Sequence, residues 1–320
     1  MPRVAAPPEV AVAIVNWNTR ELLARCLRSL QPEADAGRAE VWVVDNASDD
    51  GSAELVRREF PWARLIASEE NVGFGRAVNR VASRTATDWI ALANADVALR
   101  PGSLERLLQA AADDPGAGAI APRLVLPDGS TQHSVFAFPN VRLALLVATG
   151  IGSLFAKRLL LPGALDPAPR RVPWAVAAFL LVRRSAWDAA GPFDEQQWMY
   201  AEDLDLGWRL RRAGWATRWE PAAEVDHESG ASTSQVFGDA GQTERWQRAS
   251  YAWMLRRLGA PRTRAIAAML MAGQAVRWAL LAVAARVAPK RYRARRDVAH
   301  WWMELHRAGL ASRAALEAGR

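Results

Sequence analysis

The stretch VAVAIVN (Val10–Asn16) is a continuous apolar run of strand length, and it sets the fold class of the chain. It is followed by Asn18 and Thr19, which are candidates to cap a helix, and by ELLARCLRSL, whose apolar residues recur at helical spacing. Three more segments repeat this order of buried strand, polar loop and helix. Their strands are VWVVD (41–45), RLIAS (64–68) and WIALAN (89–94). The alternation predicts an α/β fold with a mostly parallel sheet flanked by helices.

Polar residues stand where the predicted strands end, and ligands of such sheets bind beyond the carboxyl ends of the strands. These residues are Asn16, Asp45, Asn46, Asn94 and Asp96. A carboxylate at this edge can hold a divalent cation, although Asn94-Ala95-Asp96 could equally be a simple turn. His227, in the later segment DHESG, is a candidate second ligand at a turn that would leave it exposed.

A second candidate site lies in WMYAEDLDLGWRL (198–210), where Glu202 and Asp203 stand side by side at the start of a predicted helix. The apolar residues that follow recur at helical spacing, which indicates a helix packed on a core with its first turn facing a cleft. Acids are also favoured in a first turn by the helix dipole, so the pair alone could be surface carboxylates.

The middle of the chain is less regular. WAVAAFLLV (174–182) predicts one buried strand, and the apolar run within 143–161 is short for a membrane span, which favours a core helix or a lid. The single cysteine, Cys26, lies among leucines and predicts a core position, and no export signal is evident. A reducing compartment is therefore expected.

The formal charge of +7 is divided unequally. Residues 241–320 contain 16 Lys and Arg against 4 Asp and Glu, a net +12, which leaves −5 for the first 240 residues. Within this basic tail, residues 264–288 form an apolar stretch of spanning length that Gln274 and Arg277 interrupt, and the basic run KRYRARR (290–296) follows. The pattern favours a helix lying in a membrane interface over a spanning one, with a helix packed on the domain as the alternative.

Several common chemistries lack their motifs. The chain has no Walker A sequence, no paired-cysteine zinc site and no GxSxG elbow, and Gly73-Phe74-Gly75 lacks the third glycine of a dinucleotide fingerprint. Two candidate features remain. One is the sheet edge, whose acids could hold a metal, and the other is the acid pair that lies far along the sequence. That combination suits the transfer of a group from a nucleotide diphosphate.

Over residues 10–232, ordered sequence blocks resemble the inverting, GT-A-type glycosyltransferases of family 2, most closely their rhamnosyltransferase-like branch. The blocks are AIVNWN, VVDNASDDGS, ENVGFGRAVNR, ALANADV, AFLLVRRSAWDAAGPFDE, MYAEDLDLGWRLRRAGW and HESGAS. The resemblance implies a GT-A domain over residues 1–240, followed by a helical, basic and membrane-associating region over 241–320.

The resemblance also assigns residues. It implies that Trp17 lies near the nucleotide base, that Asp45 bonds the base, and that Asp96 and His227 hold Mg or Mn. Asn94 stands where the family usually has the first acid of its metal motif, which removes one negative charge. Asp203 matches the family's catalytic base, and Glu202 would support it or contact the acceptor. The nucleotide-sugar contacts expected in all are Val15, Trp17, Asp45, Asn46, Gly73, Asn79 and Asn94.

The function implied is inverting transfer of a sugar, with rhamnose a candidate, from a dTDP- or UDP-linked donor to a hydroxyl of a glycan or polyprenyl-linked acceptor. The expected location is cytoplasmic, on an anionic membrane surface at the inner face of the plasma membrane. A non-catalytic binding protein is an alternative, which the intact Asp96, Asp203 and His227 oppose. Nucleic-acid binding through the tail is a weaker one because it leaves the acids unexplained.

Overall fold

The computed structural model describes residues 8–150, 168–197, 199–228 and 231–311, with side chains described from residue 241 in the last of these ranges. The described residues form two compact units, one within Met1–Ala137 and Pro162–Val236, the other within Phe138–Leu161 and Phe237–Arg320. The second unit includes the chain from Phe237 onwards, whereas the sequence placed a boundary at residue 240. It also contains the described residues 138–150, which the sequence placed in the first domain.

The first unit is built on a large mixed sheet with a small two-stranded sheet beside it. The strands are β1 (Val10–Asn16), β2 (Ala39–Asp45), β3 (Arg64–Ala67), β4 (Trp89–Asn94), β5 (Val97–Leu99), β6 (Ala117–Val125), β7 (Val135–Phe136), β8 (Arg170–Val172), β9 (Trp174–Ala175), β10 (Phe179–Arg183) and β11 (Ala216–His227). The large sheet has the order β3-β2-β1-β4-β10-β6-β11-β5, with β8 paired to β11, and β7 pairs with β9 in the small sheet.

Helices cover the sheet of the first unit and make up the described part of the second. They are α1 (Arg20–Asp35), α2 (Ser52–Glu59), α3 (Phe74–Ala82), α4 (Ser103–Asp113), α5 (Val141–Ala148), α6 (Arg184–Ala190), α7 (Glu202–Arg212), α8 (Ala231–Leu258), α9 (Ala260–Val287) and α10 (Pro289–Arg307), with a 3-10 turn at Ala308–Leu310. The predicted α/β fold is confirmed.

The amino-terminal half shows why these residues form a parallel sheet. Every residue of β1 except Val15 is buried, because β2 and β4 pair with it in parallel on both sides and helices cover its faces. Cys26 is fully buried in the core with Leu23, Leu27 and Leu30 of α1, as its leucine-rich surroundings predicted. The carboxyl ends of these strands therefore meet at one edge of the sheet.

Two local predictions are wrong, and the direction of one strand was not predicted. WAVAAFLLV forms two strands instead of one, because Val176 N–H donates to the Ser134 carbonyl and β9 pairs with β7 in the small sheet, while only β10 joins the large one. β10 runs antiparallel to both its neighbours, which an apolar run cannot reveal. The Thr19 side chain does not cap α1: it donates to Asn16 Oδ1 at 2.8 Å, and Asp50 Oδ2 accepts the Arg20 N–H at 2.8 Å.

In the second unit, α9 and α10 form a hairpin that turns at Ala288. Trp278 of α9 lies beside His300 of α10, with ring centroids 6.4 Å apart, and Gly309 packs against Ala267. A Tyr251 hydroxyl 2.8 Å from His306 Nδ1 ties α8 to the end of α10. The apolar run at 143–161, for which a core helix or a lid was predicted, is described only as far as residue 150. There it forms most of α5 (141–148), and residues 151–161 lie outside the described part of the chain.

Candidate active site

Asp96 and His227 meet at the edge of the sheet because β11 runs antiparallel to β5. His227 is paired with Val97, and the Glu228 N–H donates to the Asp96 carbonyl at 3.0 Å. This pairing brings His227 Nε2 to 3.3 Å from Asp96 Oδ1. Both side chains are buried, so the expectation of an exposed turn histidine is wrong: His227 is the last residue of a strand.

The orientation of the His227 ring is set by Gln132, a residue that the sequence did not single out. Nδ1 of His227 lies 2.6 Å from Gln132 Oε1. The Gln132 oxygen can only accept, so it bonds an Nδ1–H, and when the ring is neutral its Nε2 presents a lone pair to Asp96. No motif marks Gln132, because its role arises only when the loop before β7 folds next to the end of β11.

The facing atoms of Asp96 and His227 fit a divalent cation. Asp96 Oδ1 and His227 Nε2 are both buried and, within the described part of the chain, have no hydrogen-bond partner. When the ring is neutral these atoms are two acceptors that face each other, an arrangement that a cation between them would stabilise. Their separation of 3.3 Å is near the ~3 Å between adjacent ligands of an octahedral ion with bonds of about 2.1 Å.

The acids that flank His227 are not available as further ligands. Arg100 Nε donates to Asp226 at 2.9 Å, and Arg25 Nη1 donates to Glu228 at 2.5 Å. The described residues accordingly contain no group of three or more His, Cys, Asp or Glu side chains that could hold a metal ion. A cation bound here would complete its coordination with other oxygen ligands, such as amide or carbonyl groups, water or a substrate.

The acid pair occupies the first turn of α7, as predicted, and the chain enters this helix through a strained backbone. Tyr200 and Ala201 have φ of 62° and 61°, in the left-handed region that residues with a β-carbon rarely adopt. Such conformations persist where the surrounding structure imposes them, often at functional sites. Gly207 lets the helix approach closely, since a β-carbon there would lie 2.5 Å from that of Trp174.

The three acids of the first turn differ in their surroundings. Asp205 is buried and accepts from Arg209 Nε at 2.7 Å, which makes it structural. Asp203 Oδ1 accepts the Leu204 N–H at 2.7 Å, and the Ala177 N–H also bonds the carboxylate. Glu202 Oε2 has no hydrogen-bond partner among the described residues. Only Glu202 and Asp203 are therefore left for chemistry.

Loss of solvent raises the pKa of both acids. Burial raises the pKa of Glu202 to about 8, and the neighbouring charge of Asp203 adds to this shift. Burial likewise raises the pKa of Asp203 to about 6, against the opposing effect of its backbone hydrogen bonds. Desolvation thus outweighs the stabilisation of the Asp203 anion by the helix amides. A carboxylate with a pKa near neutrality is suited to accept a proton.

Short backbone links connect the acid pair to the sheet edge. Ala177 bonds Asp203, and the next residue, Ala178, accepts the Asn94 N–H at 2.9 Å. Asn94 is two residues from Asp96, and Ala93 is paired with Phe179 in the antiparallel ladder of β4 and β10. The break between β9 and β10 therefore brings the acid pair to the same edge as the metal-ligand candidates.

A polar cluster occupies the ends of β1 and β2. Asn16 Nδ2 donates to Asp45 Oδ1 at 2.8 Å, and the Ser48 N–H donates to Asp45 Oδ2 at 3.1 Å. Asn46 Oδ1 is buried with no hydrogen-bond partner in the described ranges. Asp45 is thus held in place and keeps part of its accepting capacity, since each carboxylate oxygen can accept more than one hydrogen bond.

The other predicted donor contacts divide into two groups. Val15, Trp17 and Asn94 are partly exposed at the ends of β1 and β4. Asn79 instead bonds both the N–H and the carbonyl of Phe193, at 2.9 and 3.0 Å, which ties α3 to the segment before α7. Gly73, with φ of 81°, begins α3, and its carbonyl accepts from Asn46 Nδ2 at 3.4 Å. Asn79 and Gly73 therefore make hydrogen bonds that hold the protein together, whatever contact they also make with a donor.

The comparison with known proteins decides the family. Residues 7–249 match the family model described as "Glycosyltransferase like family 2". The chain belongs to glycosyltransferase family 2. This glycosyltransferase is 34% identical over 273 residues to the N-acetylglucosaminyl-diphospho-decaprenol L-rhamnosyltransferase of Mycobacterium tuberculosis, an alignment that covers 77% of this chain and 88% of the relative. It is 32% identical over 186 residues to the pre-mycofactocin glycosyltransferase of the same organism, covering 56% and 36% of the two chains.

Solved structures confirm that the family 2 chain has the GT-A fold. The mannosyltransferase PcManGT of Pyrobaculum calidifontis, solved with GDP-Man and Mn2+, superposes with a TM-score of 0.59 at 16% identity, covering 98% of this chain and 87% of its own. GalNAc-T7 with UDP, GalNAc and Mn2+ gives a TM-score of 0.51 at 14% identity, covering 69% and 44%.

Proposed function

We propose that this glycosyltransferase transfers a sugar with inversion, from a nucleotide diphosphate to a hydroxyl of a polyprenyl-diphosphate-linked glycan. The mycobacterial relative at 34% identity is named for an acceptor of this class and for the transfer of rhamnose. Rhamnose is therefore the first candidate sugar. The observation that carries the mechanism is the acid pair of α7, in which burial raises the pKa of Asp203 to about 6. The two alternative functions, sugar-nucleotide binding without turnover and nucleic-acid binding, give no reason for a buried acid pair in a member of a transferase family.

In the proposed reaction, Asp203 accepts the proton of the acceptor hydroxyl while the oxygen forms a bond to the anomeric carbon. The bond from that carbon to the diphosphate oxygen breaks on the opposite face, so the configuration inverts. Burial and the neighbouring Asp203 raise the pKa of Glu202, which favours its protonated form, and that form can donate a hydrogen bond to the acceptor or to Asp203. We assign the base to Asp203 because the Leu204 and Ala177 N–H groups bond its carboxylate and favour its ionised form, whereas Glu202 Oε2 has no partner among the described residues.

The donor would lie along the strand ends, with the uracil or thymine base of a UDP- or dTDP-sugar near Trp17 and Asp45. Val15, Asn46, Gly73, Asn79 and Asn94 are proposed to line this part of the site. Asp96 and His227 would hold a divalent cation, which when bound neutralises charge on the departing diphosphate. An imidazole ligand favours Mn2+ over Mg2+.

We further propose that the first unit catalyses transfer and that the second binds the cytoplasmic face of the membrane, where a lipid-linked acceptor lies. These assignments extend the predicted division into a catalytic region, 1–240, and a basic helical region, 241–320. The described basic side chains of α10 support this location, because anionic lipids attract clustered Arg and Lys.

Donor binding tests the proposed function directly. A panel of nucleotide sugars is expected to raise the melting temperature of the full chain in the presence of Mn2+, with a dTDP- or UDP-sugar giving the largest rise. The measurement is thermal unfolding with Mn2+ and again with chelator, and Mn2+ without nucleotide is the control. A panel in which no uracil or thymine nucleotide sugar stabilises the chain would refute the proposed donor class.

A second expected result concerns Gln132. Replacing it with Leu removes the acceptor for His227 Nδ1–H, which now lies 2.6 Å away, and frees the ring to change tautomer. We expect Gln132→Leu to weaken Mn2+ binding by about 10- to 100-fold, as loss of a hydrogen bond to a metal-binding histidine commonly does. Titration calorimetry with Mn2+ alone measures the change.

Two variants control this experiment. Gln132→Glu keeps an acceptor at the same distance and should retain Mn2+ affinity. Gln109→Leu makes the same substitution at an exposed helix position, where Gln109 Nε2 donates to Asp113 at 2.9 Å, and should have no effect. Equal Mn2+ affinities in Gln132→Leu and the unaltered chain would show that Gln132 does not orient the ligand.

A further inference from the structure

The helix α9 has the reverse of the pattern expected for a surface helix in water. Val276, Leu280, Val283 and Val287 recur at intervals of three and four residues, so they form one stripe. Their exposed fractions are 60%, 66%, 62% and 86%. Ala268, Ala272 and Ala279 are exposed beside this stripe, and the exposed Arg264 and Arg286 stand at its two ends. We call these seven residues the apolar face of α9.

The opposite side of α9 is turned towards its own unit and carries its central charge. Arg277 Nη2 donates to the Val147 carbonyl of α5 at 3.2 Å. Gly273 lies so close to α5 that an added β-carbon would be 2.5 Å from the Ala148 carbonyl oxygen. Ile266 and Ala267 are buried. The arginine that would oppose membrane contact is therefore withdrawn from the apolar face.

The hairpin with α10 determines how such a helix can meet a bilayer. Among the described residues, α9 is the one helix long and apolar enough to cross a membrane, but α10 folds back along it, with Trp278 beside His300. α10 carries exposed Lys290, Arg291, Arg293 and Arg295. A spanning α9 would draw these charges into the hydrocarbon, where charged side chains are strongly disfavoured. A hairpin lying in the interface keeps them in the headgroup region.

We propose that the apolar face of α9 is a bilayer-binding surface that lies in the plane of an anionic membrane, with the basic start of α10 on its headgroups. Arg286, Lys290 and Arg291 are exposed and flank Val287, which at 86% is the most exposed of the valines and the leucine of the face. This adjacency of apolar and cationic groups matches the hydrocarbon and phosphates of an anionic leaflet. The inference refines the membrane location given above, and so rests on the proposed function.

Vesicle binding by the full chain tests the surface. Leu280→Asp with Val283→Asp places two charges on the apolar face, and we expect binding to phosphatidylglycerol-containing vesicles to fall at least about tenfold. Val298→Asp is the matched control, since Val298 is 54% exposed on α10 and outside the face. Co-sedimentation measures binding, and pure phosphatidylcholine vesicles should bind every form less. Equal losses in the paired variant and in Val298→Asp would overturn the proposal.

A second measurement does not depend on how the charged variants fold. Cys26 is fully buried, so a cysteine introduced by Val283→Cys is the site for an environment-sensitive dye, with Val298→Cys as the control. The dye at position 283 should shift to shorter emission wavelength only when anionic vesicles are added. A shift that depends on protein concentration without vesicles would mean that a second copy covers the face and would overturn the proposal. Retention on vesicles after alkaline carbonate washing would instead indicate that α9 spans the membrane, and this result would also overturn the proposal.

Failure of this inference is distinguishable from failure of the proposed function. Vesicle binding is measured without donor or acceptor, and donor binding is measured without lipid. A chain that binds vesicles through α9 but is stabilised by no nucleotide sugar would keep this surface and lose the proposed function. Donor stabilisation without vesicle binding would remove the surface alone.

Discussion

Asp203→Asn is expected to lower the rate of sugar transfer at least about a hundredfold while leaving donor affinity unchanged, because the amide cannot accept the acceptor's proton. The substitution keeps the size of the side chain and an oxygen that can still accept from the Leu204 and Ala177 N–H groups. Initial rates at saturating donor and acceptor measure the loss, and nucleotide-sugar titration measures donor binding. Unchanged turnover would remove Asp203 from the role of base.

Glu202→Gln is the matched control for this assignment. Burial raises the pKa of Glu202 to about 8, so its carboxyl is mostly protonated at pH 7 and the amide resembles the form already present. We expect a smaller fall in rate than in Asp203→Asn. The reverse order of effects would exchange the roles of the two acids.

The pKa of Asp203 determines how the transfer rate depends on pH. It also predicts how Asp203→Asn changes the stability of the folded chain, which serves as a control. The base must be ionised, so wild-type transfer should decline as pH falls through about 6. The raised pKa also means that the ionised carboxylate is less favourable in the folded chain than in the unfolded one. Its neutral form therefore favours folding below its unfolded pKa, and this contribution is lost as pH rises through about 6. Asp203→Asn should accordingly melt no lower than the unaltered chain at pH 8, which separates lost chemistry from lost structure.

The sequence predicted the parts of this protein that depend on local pattern. Continuous apolar runs predicted β1 to β4, because such strands are covered on both faces, and helical spacing placed Glu202 and Asp203 in a first turn, because a helix buries one side. Asp96 and His227 were proposed as metal ligands from their places in the sequence and from a resemblance, and the structure brings their side chains together through the pairing of β5 with β11. Whether they bind a cation remains a prediction.

Features that depend on contacts between distant segments could not be read from the sequence. The break between Trp174 and Val182 arises because Val176 bonds Ser134, a contact across the chain that no apolar run shows. Gln132 became visible only through its position against His227. The raised pKa of Asp203 was missed because the helix-dipole argument treats the carboxylate as solvated, whereas the folded chain removes that solvent.

Asp96→Ala is expected to abolish measurable Mn2+ binding and to lower transfer by about a hundredfold or more, because the pair would lose its one carboxylate. Titration of the purified chain with Mn2+ alone, followed by electron paramagnetic resonance of the free ion, measures binding independently of turnover. Asp226→Ala is the matched control: it removes a carboxylate next to His227 whose partners are Arg100 and Arg25, and Mn2+ binding should persist.

The position of Asn94 makes this prediction sensitive to the choice of ion. With Asn94 in place of an acid, Asp96 supplies the carboxylate of the pair and His227 supplies a nitrogen, a ligand set better suited to Mn2+ than to Mg2+. His227→Ala should therefore weaken Mn2+ binding more than Mg2+ binding, whereas Asp96→Ala should weaken both. If Asp96→Ala lowers transfer equally in Mn2+ and in chelator, Asp96 acts on the donor directly and the cation site does not exist.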